Sequence, residues 1–259
     1  MRGLLNLGNT CYFNTAVQCL AHVPALTKHF FSVPYEGPCE ITREYQKVVK
    51  NLFIKDKTDP VSPSDLLGAF RVRFPDFAGQ GQHDAQEVVL CLLDVFEKSL
   101  GKNFISKLFY GEDVQETIWP EGMSTVKTEF STMLLDVGEP ASLKDLMEDR
   151  SDAKAIADYV DSTGKTWNVA AVRSRVGRWP DVISFTFAMY DYKFPIEIPL
   201  EFEGKKLFAC VIHQGIRQGG HYALLVRRWD KWYIKDDESV SEVPQVENLR
   251  GPFYMAWYR

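Results

Sequence analysis

The sequence predicts an α+β protein with a helical amino-terminal lobe and a strand-rich carboxy-terminal lobe. Up to about residue 104, apolar residues recur at three- and four-residue steps, the period of a helix buried on one side. Beyond it, short runs of aromatic and branched residues alternate with turns, the texture of strands. Length sets the scale: 259 residues at 45% hydrophobic bury a substantial core, either one large domain or two lobes sharing a cleft. The expectation is a single domain over 1–259, with lobes of about 1–104 and about 105–259.

Residues 10–29 form the first predicted helix, with Ala16, Val17, Leu20 and Val23 on its apolar side. Thr10 or Asn9 caps its start. Cys11 then falls in the first turn, where the helix dipole and free N–H groups favour thiolate over thiol. Residues 41–54 and 63–72 read as two more helices, the second opened by Ser62-Pro63-Ser64-Asp65. Residues 84–100 give the clearest pattern: Ala85, Val88, Val89, Leu92, Phe96 and Leu100 make a stripe, with Asp94, Glu97 and Lys98 largely away from it.

Residues 114–118 and 125–130 read as strands around the turn Trp119-Pro120-Glu121-Gly122. Residues 143–160 read as helical. Strands are predicted at 182–190, 206–213, 222–229 and 232–235, the last two joined by Arg228-Trp229-Asp230-Lys231. No repeat or linker stands out.

A net charge of −5 argues against nucleic acid as the main partner. The five cysteines, Cys11, Cys19, Cys39, Cys91 and Cys210, are odd in number and contain no Cys-x-x-Cys pair. That argues against a disulfide framework or structural zinc and for a reducing, intracellular compartment, cytoplasmic or nuclear. No apolar run is long enough to span a bilayer, and no signal peptide is read. Membrane association is not expected.

Chemistry concentrates in two stretches. Leu5-Asn6-Leu7-Gly8-Asn9-Thr10-Cys11-Tyr12-Phe13-Asn14 lies near the amino terminus. Gly219-Gly220-His221-Tyr222, followed by Trp232-Tyr233-Ile234-Lys235-Asp236-Asp237, lies near the other end. Together they supply a thiol nucleophile, an imidazole base and a carboxylate to orient the base. Neighbours on a strand face opposite ways, so only one of Asp236 and Asp237 can point at His221.

Both stretches resemble the motifs of the ubiquitin-specific protease family of deubiquitinases. The first matches its cysteine box and the second its histidine box. Gln82-His83-Asp84-Ala85-Gln86-Glu87 and Val211-Ile212-His213-Gln214-Gly215 resemble two further signatures, in the right order. The resemblance implies a papain-like fold with a helical thumb and an antiparallel, β-rich palm. It implies hydrolysis of isopeptide or peptide bonds at the carboxy-terminal glycine of ubiquitin. The implied partners are ubiquitin, polyubiquitin chains and ubiquitinated proteins, met by a monomer with no cofactor.

The family's fingers usually carry two Cys-x-x-Cys pairs that hold zinc. Here their places fall near Trp119-Pro120 and Asp161-Ser162-Thr163-Gly164, without thiols. Zinc wants thiolate or imidazole ligands, so no metal is expected. The fingers are expected to be reduced to a short hairpin. A second departure is Phe187-Ala188-Met189-Tyr190, where the family commonly has Leu-x-Arg-Phe.

The resemblance assigns Cys11 as nucleophile, His221 as base and later acid, and Asp236, four residues after Trp232, as the orienting group. It makes Asn6 an oxyanion donor alongside the Cys11 backbone N–H; a plain turn-forming role is the alternative. Asp84 and Glu87 fit a capping box, and the resemblance also sets them against arginines of the ubiquitin tail. Gln82 is grouped with that acidic pair. Gly219, Gly220 and Tyr222 are expected to line a channel for the terminal diglycine, where a side chain would clash. His213 matches a family position and is read as structural. The rival readings are a protease for another modifier ending in Leu-Arg-Gly-Gly and a ubiquitin-binding module without activity.

Overall fold

A computed structural model describes residues 1–188, 194–216, 219–244, 246 and 249–259. Helices fill the first 109 residues: α1 (Cys11–Ala21), α2 (Pro24–Ser32), α3 (Glu40–Leu52), α4 (Ser64–Arg73), α5 (Ala85–Leu100) and α6 (Lys102–Phe109). The helix predicted over 10–29 is two. Val23 is extended (φ −84°, ψ 108°) ahead of Pro24, whose ring disfavours a helical residue before it. The short α6 was not predicted.

Strands follow: β1 (Gly111–Trp119), β2 (Gly122–Phe130), β3 (Met133–Asp136) and β4 (Ala141–Ser142). Then α7 (Leu143–Ser151), β5 (Lys154–Val160), β6 (Thr166–Arg178) and β7 (Ile183–Ala188). The helix expected over 143–160 therefore stops halfway, at Ser151. A capping box between Ser142 and Asp145 starts α7, but Ala155, Ile156 and Ala157 pair with β6 instead of continuing it. Long-range pairing outweighs local propensity here. Of the Phe187-Ala188-Met189-Tyr190 departure, Met189 and Tyr190 lie outside the described residues.

The short hairpin expected of the fingers is corrected. Its two strands join β5 and β6 in a four-stranded antiparallel sheet of order β2-β1-β6-β5. At the turn where zinc-binding thiols would sit, Asp161 accepts from Thr163 N, Thr163 Oγ1, Lys165 N and Trp167 Nε1 at 2.6–3.1 Å. These bonds hold its carboxyl down to about 2. Nearby Trp119 packs on Tyr159. These residues do not fit a zinc site.

The remaining strands are β8 (Ile196–Ile198), β9 (Glu201–Phe202), β10 (Lys205–Ile216), β11 (Gly219–Arg228), β12 (Lys231–Asp236), β13 (Ser239–Val243), β14 (Leu249–Gly251) and β15 (Phe253–Tyr258). The large sheet runs β13-β12-β11-β10-β15-β7-β3. Both faces are buried, so alternate residues enter different cores. Val211, Leu224, Val226, Met255 and Trp257 pack with the helices. Cys210, Leu225, Ala256 and Tyr258 pack in a second cluster with α7-side residues such as Leu143. One face of the sheet thus docks on α1, and that contact positions the chemistry.

Candidate active site

Cys11 is the first residue of α1 and is 2% exposed. The turn before it needs left-handed backbone: Gly8 has φ 95° and Asn9 φ 52°. Thr10 occupies the cap position, but its Oγ1 accepts from Leu7 N at 2.9 Å and does not cap the helix. Asn9 Nδ2 donates to Gln80 O across the lobe.

The thiol is not shifted as its helix position suggested. Burial, the largest influence, pushes it up, and the Asp237 charge adds to this. Backbone bonds from Tyr222, Tyr12 and Cys11 itself pull the other way without prevailing. Activation must therefore come from a base rather than from the helix start alone.

His221, the expected base, lies on β11. Its Nε2 lies 2.5 Å from Asp236 Oδ1, the last residue of β12. Its Nδ1 makes no hydrogen bond among the described residues. Among the described residues no hydrogen bond joins Cys11 to His221, an arrangement that substrate commonly tightens. The backbone of Tyr222, next to His221, nevertheless bonds the Cys11 sulfur.

Strand alternation orders β11 and β12 up to Asp236. Leu224 lies opposite Lys235, so Tyr222, Leu224 and Lys235 point towards α1, while His221 and Asp236 share the other face. Asp237 has left the strand with φ 49°. Its Oδ2 accepts from Asn6 Nδ2 at 2.6 Å and its Oδ1 from Asn14 Nδ2 at 2.8 Å. Single atoms of His221, Asp236 and Asp237 lie within 4.8 Å of one another.

Asn6 is exposed and fully oriented. Its Oδ1 accepts from Gly8 N at 3.0 Å and Thr10 N at 3.2 Å, its backbone N donates to Glu238 Oε2, and one amide hydrogen goes to Asp237. The second amide hydrogen has no partner among the described residues. The bonds at Oδ1 fit the turn-forming reading, and the oxyanion reading would use the opposite end of the side chain.

The acidic pair divides differently from expectation. Asp84 caps α5, accepting from Gln86 N at 2.7 Å, and its other oxygen accepts from Tyr254 Oη at 2.5 Å. Glu87 is exposed and makes no hydrogen bond or ion pair among the described residues. The capping box does not form, since Asp84 accepts from Gln86 N and not from Glu87 N, and Glu87 returns no bond. Gln82 Oε1 accepts from Gly220 N, tying the loop before α5 to the strand of His221.

The two glycines are not equivalent. A Cβ on Gly220 would meet His213 Nε2 at 2.4 Å and Gln214 O at 2.5 Å, so the protein's own packing excludes it. Among the described residues a Cβ on Gly219 would meet only Gln82 Oε1, at 3.8 Å. Tyr222 does not line a channel with its ring, which is buried and stacked on His213 at 4.3 Å. Only its backbone faces the chemistry.

Sequence reasoning missed Asn14 as a functional neighbour and the bidentate role of Asp237. One signal was available: Cys11, Asn14 and Gln18 recur at i, i+3 and i+7, a polar stripe on an otherwise apolar helix. All three are buried.

An imidazole–carboxylate pair and an oriented amide lie near the start of α1, the helix that Cys11 opens. The whole chain from residue 2 to 258 matches the family of ubiquitin carboxyl-terminal hydrolases. The chain belongs to that family. It is a cysteine-type deubiquitinase, the class of this ubiquitin carboxyl-terminal hydrolase family. It is similar to the ubiquitin carboxyl-terminal hydrolase nonstop of Drosophila melanogaster, 25% identical across 100% of this chain and 67% of nonstop. Ubiquitin carboxyl-terminal hydrolase 5 of Arabidopsis thaliana is 32% identical over 39% of this chain and 12% of its own length. Among solved structures, the Ubp8/Sgf11/Sus1/Sgf73 deubiquitinating module of SAGA bound to ubiquitin aldehyde has a chain that superposes with a TM-score of 0.83. That match has 18% identity and covers 100% of this hydrolase and 69% of that chain. The module bound to monoubiquitin gives 0.86, again at 18% identity, over 68% of that chain. At that identity the likeness shows the fold, papain-like with α and β lobes. No helix among the described residues is long and apolar enough to cross a membrane.

Proposed function

We propose that this hydrolase cleaves isopeptide and peptide bonds at the carboxy-terminal glycine of ubiquitin, acting as one domain over 1–259 inside the cell. The observation that carries the assignment of roles is the His221–Asp236 pair standing one residue from the backbone amide that bonds Cys11. His221 Nδ1 takes the thiol proton as Cys11 Sγ attacks the scissile carbonyl. Asp236 holds the ring's other nitrogen and stabilises the imidazolium. Charge developing on the carbonyl oxygen meets the free amide hydrogen of Asn6 and the Cys11 N–H. The C–N bond breaks, His221 returns its proton to the departing lysine amine, and a thioester remains. Water, deprotonated by His221, then hydrolyses it.

On this reading Glu87 takes a guanidinium of the substrate tail, and Asp84 adds what lone pairs its cap leaves. Gln82, Gly219 and Gly220 border the diglycine, with Gly219 the position whose missing side chain serves the substrate. Tyr222 contributes its backbone amide.

The test is release of amidomethylcoumarin from its ubiquitin conjugate. Wild type should turn over, and Cys11→Ala should fold and release nothing; cleavage by Cys11→Ala would sink the assignment. Labelling by carboxy-terminal electrophiles of ubiquitin and of its relatives ending in Leu-Arg-Gly-Gly sets the modifier. Preferential labelling by a relative would replace ubiquitin as substrate.

A further inference from the structure

Behind the catalytic face lies a buried polar rung that the reaction does not use. Lys235 precedes Asp236 on β12 and points the opposite way, into the joint between the sheet and α1. It is 3% exposed. Its Nζ donates to Gln18 Oε1 at 2.8 Å and to Arg2 O at 3.0 Å. Gln18 Nε2 donates to the same Arg2 carbonyl at 3.2 Å, closing a triangle. Burial lowers the amine to about 7, with the Arg228 charge as a smaller cause. A neutral amine still carries two N–H groups, enough for both acceptors.

The rung is one of two in a ladder. Gln18 lies on the same face of α1 as Asn14, and Lys235 stands two residues before Asp237. Asn14 Nδ2 donates to Leu5 O at 3.1 Å and to Asp237. Leu4 N donates to Asp237 O at 2.9 Å. The amino-terminal segment 2–6 is thus threaded between α1 and the strand of Asp236, read carbonyl by carbonyl. On its far side Gly3 O and Leu5 N pair with Val61. The Arg2 guanidinium bonds Asn51 O and Asp59 O, so the segment's start is anchored to the helical lobe. Asn6 is the segment's end.

We propose that Lys235, acting with Gln18 through the Arg2 carbonyl, is a positioning residue that sets the register of segment 2–6 and so aims the Asn6 amide at the reaction centre. This rests on the oxyanion role given to Asn6 above. A lysine at this depth costs desolvation that an apolar residue would avoid. Purely hydrophobic packing would suit a buried β12 position, whereas the two bonds to segment 2–6 need a long donor.

The test compares kcat and KM of wild type, Lys235→Met, Asn6→Ala and the double variant on the ubiquitin–amidomethylcoumarin conjugate. Met keeps the stem and removes the donor. Lys235→Met should lower kcat about tenfold, as small misplacements of catalytic groups do. KM should stay within about twofold, and Tm within about 5 °C. In the Asn6→Ala background the same change should cost less than about twofold, since its effect runs through Asn6. An undiminished kcat in folded Lys235→Met overturns the proposal, and so does a full tenfold loss that persists without Asn6. Should Lys235→Met not fold, Gln18→Met removes the same rung and is read the same way. If neither folds, the rung serves folding and the proposal fails. The Asn6 side-chain amide resonance, assigned by its loss in Asn6→Ala, gives a readout without substrate: it should shift in Lys235→Met. An inactive wild type with a shifted resonance would count against the deubiquitinase reading alone; an unmoved resonance counts against the rung.

Discussion

The joint between the lobes and the four-stranded sheet β2-β1-β6-β5 are built on opposite principles. At the joint, side chains more than 200 residues apart in sequence are cross-linked. Asn6 and Asn14 meet Asp237, and Gln18 meets Lys235, all by hydrogen bonds and mostly out of water. Across the four-stranded sheet only Gly111, Val114, Glu116 and Ala170 are buried. Its side-chain ties are ion pairs made by exposed cations: Lys127 with Glu112, Lys165 with Glu121, and Arg173 and Arg175 with the buried Glu116. Buried polar networks fix one geometry, because any displaced group is left unsatisfied. Surface pairs cost little to break and restrain little. Chemistry that needs atoms held within a fraction of an ångström is placed in the first kind of region.

The largest expected effect breaks the joint. Asp236→Asn removes the carboxylate facing His221 Nε2 and should lower kcat about 10³–10⁴-fold with little change in Tm. A loss under tenfold would transfer the orienting role to Asp237. Asn6→Ala should cost about 10²–10³ in kcat, the worth of one oxyanion donor, and leave KM nearly unchanged.

Next come the glycines, which sharpen the difference between internal and substrate-driven constraint. Gly220→Ala overpacks against His213 and should lower stability by about 1–3 kcal/mol, seen by chemical denaturation. Gly219→Ala should leave stability within about 0.5 kcal/mol while raising KM for the conjugate. Equal destabilisation by both would erase the distinction.

Lys235 makes the joint pH-dependent. Its amine binds a proton below about 7 when folded and below 10.5 when unfolded. Between those values the unfolded chain holds the extra proton, so wild-type stability gains as pH rises. Below about 7 both states are charged and the folded one bears the burial cost. Measured against Lys235→Met from pH 6 to 10, the difference in unfolding free energy should move in favour of wild type as pH increases. A flat difference would mean that the amine is not buried. The smallest effects belong to the other region: Lys127→Ala and Lys165→Ala should each change stability by less than about 0.5 kcal/mol and leave kcat unchanged.

The reading of Cys11 shows what local pattern misses. A helix start does lower a thiol, and the sequence places Cys11 there. The docking of β11 against α1 then buries the sulfur, and burial prevails. Residues 154–160 were misread for a related reason: their partner β6 lies beyond a hairpin turn, outside any helical window. The alternation of Val172, Val176 and Ala170 with Arg173 and Arg175 was the period-two signal for that strand. Nothing in the segment around Lys235 reveals that α1 covers it.

By itself the sequence singled out the candidate reacting groups. Cys11, His221, Asp236 and Asn6 sit in short motifs whose chemistry depends on residue type and spacing. It also determined the absence of zinc-binding thiols in the segment from Gly111 to Arg178. Only the tertiary structure decided which of these groups were free to act. It committed Asp84 to a cap and a tyrosine, left Glu87 open, made Gly220 an internal necessity and Gly219 not, and put Asp237 behind Asn6. Those outcomes depend on distances between segments that chain order does not constrain, and burial and hydrogen-bond satisfaction are settled only once the segments have met.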